Sequence, residues 1–169
     1  MADRLQKVRS WYGLRGEIGV DNQLWHLVRV GGVPLPHPPL INLVLRAGLP
    51  REERLRLNFL HELGHLQTFP FAFLHAAWLT FFHRKKGPPS GTFLKRIGLG
   101  LIAHQALWEL SSEVYTLVKA GSEYRQIYHK NPNPLAQSLF WGGITSLAIL
   151  SNLLFFRWGN KKSGSVTAR

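Results

Sequence analysis

The chain has 169 residues, with 21 Lys or Arg against nine Asp or Glu and no cysteine. The lack of cysteine excludes a disulfide framework and thiolate metal sites. A formal charge of +12 is typical of proteins that bind anionic lipid, acidic partners or nucleic acid. No aromatic-basic motif supports a nucleic-acid partner, and we expect none.

Residues 1–50 form the first of three predicted regions. Segments of β-rich composition flank Asp21 and Asn22, two residues that suit a tight turn. This pattern predicts a β-hairpin over residues 16–30. Residues 31–39 (GGVPLPHPP) are rich in Gly and Pro and predict an extended connector.

Residues 51–158 form the second region, which is predicted to be helical. A long helix begins with REERL at residue 51 and continues through Phe82, and the loop 83–92 (HRKKGPPSGT) ends it. A second helix runs from about residue 93 to about residue 128, with a bend expected near Gly121. Residues 159–169 form the third region, a basic tail.

Three segments of the helical region contain no Asp, Glu, Lys or Arg, namely 69–82, 97–108 and 135–156. The last has 22 residues, and about 20 are needed to cross a bilayer, so we predict a transmembrane helix and a membrane location. The two shorter segments are either membrane-embedded helices or core helices of a soluble unit, and the third segment favours the membrane. The basic loop 83–96 and the tail are expected to contact anionic lipid head groups.

Residues 61–65 read HELGH. Positions four apart share one face of an α-helix, so His61 and His65 direct two imidazoles at one point. Glu62 lies close enough to reach a water on a metal bound there. This is the physical basis of the HExxH motif, two zinc ligands and a general base on one stretch of helix. The alternative is an ordinary amphipathic helix.

A catalytic zinc needs a third protein ligand. If the two helices fold back around a loop centred near Pro88, residues equidistant from it meet, and Glu109 and Glu113 come to lie beside the two histidines. With Glu62 they are the only acids between residues 54 and 122. Carboxylates in an apolar layer are costly, and a shared divalent cation removes that cost. The alternative is that they pair with Arg or Lys on a solvated face.

HELGH and the later ELSSE (109–113) together resemble the zincin metallopeptidases of the glutamate-zincin branch. The similarity is greatest to its membrane members, the CAAX prenyl protease and HtpX-like group, and covers about residues 54–120. This resemblance implies a zinc-dependent peptidase, which is a hydrolase. It also implies that His61, His65 and Glu109 bind the metal, that Glu62 is the general base, and that Glu113 orients one of the ligands. The chain departs from the family pattern at Gln67, usually apolar, and at Glu113, more commonly Asp.

In such an enzyme Glu62 accepts a proton as metal-activated water attacks a peptide carbonyl, then delivers it to the leaving nitrogen. A donor to the oxyanion is also needed, and His104, Tyr115 and Tyr124 are candidates. An extended peptide substrate commonly adds to an exposed strand edge. Residues 23–30 (QLWHLVRV) are the edge we expect to serve.

The expected fold is therefore mostly α, with a membrane-associated helical hairpin that carries the site, one further transmembrane helix and a small N-terminal β-hairpin. A second function class stays open, a non-catalytic accessory subunit of a membrane complex with a structural metal or tetrapyrrole site. His75 and His104, which the same fold-back brings close, are either ligands of such a group or satisfied core residues. The expected partners are membrane lipids and either a peptide or protein substrate or the other subunits of a complex. Glu62 favours the enzyme, and the short chain favours the subunit.

Overall fold

The computed structural model describes residues 5–20, 26–30, 33–37, 45–46, 48–84, 91–129 and 134–160. This part of the chain is mostly helical with a small N-terminal sheet. The strands are β1 (Gln6–Arg9), β2 (Arg15–Gly19), β3 (His26–Val30) and β4 (Val33–His37). The helices are α1 (Arg51–Arg84), α2 (Gly91–Ala120), α3 (Ser122–His129) and α4 (Pro134–Asn160). The predicted tail 159–169 therefore begins inside α4, and the rest of it lies outside the described residues.

The sheet is antiparallel throughout, in the order β1-β2-β3-β4. The predicted hairpin is confirmed, because β2 and β3 pair with Gly16 opposite Val30. Its expected turn at Asp21 and Asn22 lies outside the described residues. The predicted extended connector 31–39 contains β4, an edge strand.

The prediction that residues 23–30 offer a free strand edge is wrong. The described part of this segment, β3, pairs with β2 on one side and with β4 on the other, so its backbone groups are engaged on both sides. Within the described sheet the edges are β1 and β4. Pro34 and Pro36 in β4 cannot donate to a ladder, which leaves β1 as the edge better suited to accept a peptide strand.

The turn between β1 and β2 attaches the sheet to α1. The helix contains Pro70, which has no N–H, so the carbonyl of Leu66 four residues earlier has no helical donor. The Tyr12 hydroxyl donates to that carbonyl at 2.6 Å. Trp11 Nε1 donates to the next carbonyl, that of Gln67, at 3.0 Å. Pro70 thus leaves the Leu66 carbonyl, one residue past the HELGH motif, as an acceptor, and the turn supplies the Tyr12 hydroxyl as its donor.

Helices α1 and α2 form the predicted antiparallel pair, and they approach each other closely at the motif. A Cβ added to Gly64 would lie 2.7 Å from the Ser112 carbonyl oxygen and 2.9 Å from the Ser112 Cα. Only a residue without a side chain allows this separation. Helix α4 packs along α2, where Phe155 lies against Gly100, and it also touches α1, since His75 Nε2 lies 2.9 Å from Asn152 Oδ1.

The bend predicted near Gly121 is confirmed. Gly121 adopts a φ of +56° and ends α2, and its N–H donates to the Leu117 carbonyl at 2.9 Å. Helix α3 then folds back so that Tyr124 and Tyr128 are buried. They join a core cluster formed with Leu45, Leu49, Leu57 and Ile127. This core covers the end of the hairpin that carries the candidate site.

One helix of the described chain, Gln137–Arg157, has the length and apolar composition to cross a membrane. Only 17% of its most apolar window is buried, whereas a core helix of a soluble protein is mostly buried. Large apolar side chains are also exposed on α1 between Phe69 and Phe81 and on α2 between Leu94 and Leu107. We refer to these exposed side chains, with those of α4 from Leu139 to Leu154, as the apolar belt.

Candidate metal centre

Two imidazoles and a carboxylate converge between α1 and α2. His61 Nε2 lies 3.1 Å from Glu109 Oε2, and His65 Nε2 lies 3.6 Å from Glu109 Oε1. One ligand atom from each residue falls within 4.8 Å of the others. Ligands about 2.0–2.2 Å from a tetrahedral zinc are separated by about 3.4 Å, so these spacings suit one shared cation. The fold-back predicted from the sequence does bring these three residues together.

His61 is oriented from behind by Glu113. The Glu113 Oε2 atom lies 2.8 Å from His61 Nδ1, and because the carboxylate is an acceptor, Nδ1 carries the hydrogen. Nε2 of His61 then points to Glu109, so that a cation, or in its absence a proton, can bridge the two atoms. This is the arrangement by which an outer carboxylate fixes the tautomer and direction of a metal-binding histidine. The position of Glu113 matches the orienting role expected of it.

His65 is oriented by Ser112, a residue to which the sequence analysis assigned no role. The Ser112 hydroxyl donates its hydrogen to the Trp108 carbonyl at 2.9 Å, so towards His65 Nδ1, 2.8 Å away, it acts as an acceptor. Nδ1 of His65 therefore carries the hydrogen, and Nε2 is again the atom that faces Glu109. The Trp108 ring packs edge-on against His65 with 4.9 Å between ring centroids, which restricts the imidazole further.

Glu113 is itself held by Arg46, which is completely buried. Arg46 Nη2 donates to Glu113 Oε2 at 2.6 Å, and Nη1 donates to Asn58 Oδ1 at 2.7 Å. The Tyr124 hydroxyl donates to the second carboxylate oxygen of Glu113, also at 2.6 Å. Burial disfavours the charged carboxylate, but Arg46 and the hydrogen bond from His61 outweigh it and lower the pKa of Glu113 to about 2. Glu113 is therefore ionised at neutral pH.

The metal-free site also attracts a proton. Burial lowers the pKa of His61, but its hydrogen bonds to Glu109 and Glu113 outweigh burial and raise that pKa to about 9. Burial raises the pKa of Glu109, but the hydrogen bonds from His61 and His65 outweigh burial and hold that pKa below its usual range. Two carboxylates thus draw positive charge to His61, and a divalent cation can supply that charge in place of the proton.

The remaining predicted site residues lie at different distances from this cluster. Glu62 is buried at 3% exposure in the same turn of α1 as its two neighbouring histidines. Tyr124 reaches the site, but its hydroxyl hydrogen is donated to Glu113, so it has no hydrogen to offer an oxyanion. Tyr115 stacks with Lys119 of its own helix. His104 lies deeper in the hairpin, 3.4 Å from His75.

Three residues that shape the site had no role in the sequence analysis. Arg46 was the most detectable of them, because it is the one charge in the apolar run LINLVLRAGLP. A lone charge in such a run predicts a buried partner. Ser112 and Trp108 stand inside and beside the ELSSE segment, but serine and tryptophan on a helix are too common to indicate a contact with histidine.

The geometry can be compared with known proteins. No family model, curated protein or solved structure matches the chain. The geometry of the site is therefore the main guide to what this protein does.

Proposed function

We propose that this protein is a zinc-dependent membrane metallopeptidase, with a metal held by His61, His65 and Glu109. The observation that supports this most strongly is that ligand atoms of His61, His65 and Glu109 lie within 4.8 Å of one another, with both Nε2 atoms facing the carboxylate. Two imidazoles and a carboxylate are the ligand set of catalytic zinc in several peptidases, and it leaves a fourth position for water or substrate. The alternative is a metal-free cluster in which protonated His61 donates to Glu109 and Glu113, and zinc analysis of the purified protein separates the two.

When bound, zinc lowers the pKa of a water and polarises the substrate carbonyl. The side chains of the protein transfer the protons and orient the two imidazoles. Glu62 accepts the proton of the attacking water and delivers it to the leaving nitrogen, which completes hydrolysis of the peptide bond. Glu113 and Ser112 keep the two imidazoles in the tautomer that leaves Nε2 available, and Arg46 keeps Glu113 charged.

The position of the site relative to the apolar belt supports a membrane setting. The belt begins at Phe69, four residues after His65, and its last member on α2, Leu107, lies two residues before Glu109. Beyond the site, α2 exposes two further large apolar side chains, Val114 and Val118. No Asp, Glu, Lys or Arg occurs in residues 63–83. The site thus lies at one boundary of an apolar layer, where it can receive a peptide from the aqueous side or from the membrane surface.

The decisive experiment compares metal content with activity. Purified protein in detergent is analysed for bound zinc and then incubated with a mixture of peptides, whose new termini are identified by mass spectrometry. We expect about one zinc per chain in the wild type and in Glu62→Gln, with cleavage reduced at least about 100-fold in that variant, since general-base catalysis contributes about 10²–10⁴-fold. His65→Ala is expected to lose both metal and cleavage.

Glu52→Gln is the matched control, because this exposed carboxylate lies in the first turn of the same helix, away from the site. It should retain metal and activity. Cleavage by Glu62→Gln at the wild-type rate, or a wild-type chain that binds no zinc, contradicts the proposed function.

A second candidate is the accessory subunit with a structural metal. The observation in its favour is burial, since both histidines are 4–5% exposed and closed sites are typical of structural zinc. Stoichiometric zinc in a wild type without any cleavage would support it. The tetrapyrrole form of this candidate is less well supported, because His75 Nδ1 and His104 Nδ1 are only 3.4 Å apart and leave no room for a macrocycle between them.

A further inference from the structure

A groove opens on the half of the hairpin away from the metal site. Its volume is about 310 Å³, and its walls come from α1, α2 and α4. The lining is mainly apolar and includes Ala76, Leu79, Ile97, Leu101 and Phe155. Leu101 and Ile97 are also members of the exposed apolar belt, so the groove faces the surroundings of the helices and is not enclosed.

The two charged or titratable residues of the lining stand at opposite ends. Arg96 and His104 are eight residues apart on α2, which corresponds to about 12 Å along the helix axis. Arg96 lies five residues from the start of α2, at the end where α1 and α2 are joined. A basic group at the end of an apolar groove fits a ligand with a long apolar part and a negatively charged head.

The charge distribution around that end is one-sided. Lys95 adjoins Arg96, and Arg84, Lys85 and Lys86 precede it in the chain, whereas no Asp or Glu occurs in residues 63–108. An anionic head group is therefore attracted at this end and meets no acidic residue of that segment. Long basic side chains at a membrane boundary commonly extend their charge to the head-group layer while their stems lie along apolar surface.

We propose that this groove binds one acyl chain of an anionic phospholipid, with the phosphate of that lipid on Arg96. The volume accommodates about ten groups of the size of a water molecule, enough for most of one acyl chain but not for a whole lipid. The acyl chain of the lipid extends from the joined end of the helices, along Ile97 and Leu101, towards His104. This proposal does not depend on the metal site.

The test uses the full chain, purified in detergent and supplied with equal amounts of dioleoyl-phosphatidylglycerol and dioleoyl-phosphatidylcholine. Native mass spectrometry counts the lipids that remain bound. We expect the wild type to retain one phosphatidylglycerol with about tenfold preference, the effect of one hydrogen bond to a charged group. Arg96→Gln should abolish the preference, whereas Lys95→Gln, which removes a neighbouring charge outside the groove lining, should reduce it far less.

A second pair of variants locates the acyl chain. Ala76→Phe places a ring in the groove and should remove the bound lipid, while Ala77→Phe, the adjacent exposed position, should not. Equal retention of the two lipids by the wild type overturns the proposal. Retention that neither Arg96→Gln nor Ala76→Phe alters overturns it too, and so does an effect of Arg96→Gln without any effect of a folded Ala76→Phe. If Ala76→Phe does not fold, the pair at residues 95 and 96 decides alone.

Discussion

At the scale of single residues, the site is a chain of contacts that runs from Arg46 through Glu113 to His61. Each contact is at most 2.8 Å long, and all three residues are 5% exposed or less. HELGH and ELSSE were sufficient to predict that His61, His65 and Glu109 come together, because residues four apart on a helix share a face whatever surrounds them. The lone charge of Arg46 indicates a buried partner, but the identity of that partner was not predictable, since the contact joins residues 67 positions apart through a segment without periodicity.

Arg46→Met leaves the Glu113 charge buried without its guanidinium. Such a loss costs about 3–5 kcal/mol of stability, and a lost outer contact lowers metal affinity about 10–100-fold. Chemical denaturation and zinc titration in the same detergent measure the two effects. Arg56→Met is the matched control, because the Arg56–Glu123 pair is equally short at 2.6 Å but its side chains are 62% and 36% exposed. An exposed pair contributes about 0–1 kcal/mol.

A double variant, Arg46→Met with Glu113→Leu, separates the structural role from the orienting role. Replacing both members of a buried ion pair by apolar residues is often neutral or stabilising, so we expect stability to return towards that of the wild type. Zinc affinity should stay low, because His61 Nδ1 has lost its acceptor. Recovery of affinity together with stability would show that Glu113 does not orient His61.

At the scale of elements, the hairpin could be predicted because its two halves are long, its loop is rich in Gly and Pro, and its polar residues match across the turn. The exact register depends on Gly64, whose importance no periodicity reveals. The sheet was only partly predictable. One hairpin had a turn signal, whereas β1 is a four-residue basic strand, QKVR, without a β-rich composition. Its position depends on tertiary contacts at Trp11 and Tyr12.

Gly64→Ala should force α1 and α2 apart, because its Cβ would lie 2.7 Å from the backbone oxygen of Ser112. Overpacking of this kind costs about 1–3 kcal/mol. It should also lengthen the contact between Ser112 and His65 and weaken zinc binding. Gly98→Ala on α2 is the control, since a Cβ there meets nothing within 4 Å. In a helix interior that change stabilises by up to about 1 kcal/mol. Thermal unfolding and zinc titration of both variants check the expectation, and similar behaviour of the two would contradict the close approach at Gly64.

At the scale of the whole molecule, three helices present one apolar layer with the candidate metal centre at its boundary and the sheet beyond it. The composition of residues 135–156 was enough to predict the long apolar helix. Composition could not tell whether the two shorter segments were core or surface. The structure leaves large apolar residues of both exposed, among them Phe73 and Leu101 at 62% and 64%. Exposed apolar surface on this scale marks contact with a membrane or with partners.

The variant Leu147→Arg tests whether the apolar helix Gln137–Arg157 crosses a membrane. Leu147 lies at the midpoint of Gln137–Arg157 and is 48% exposed, so an arginine there would face lipid at the middle of the bilayer. On insertion scales this costs about 2.5–3.5 kcal/mol. We therefore expect the fraction of chain that resists alkaline carbonate extraction from microsomes to fall sharply.

Leu135→Arg makes the same substitution on the same helix, at a residue that is 66% exposed and lies two positions before the apolar span begins. Its side chain can extend to the head-group layer, so extraction should match that of the wild type. If the wild type is released by carbonate, or if both arginine variants stay in the membrane fraction equally, the apolar belt does not contact lipid. The belt then belongs to an interface with another protein, and in that case a stable complex should form at the belt in the absence of lipid.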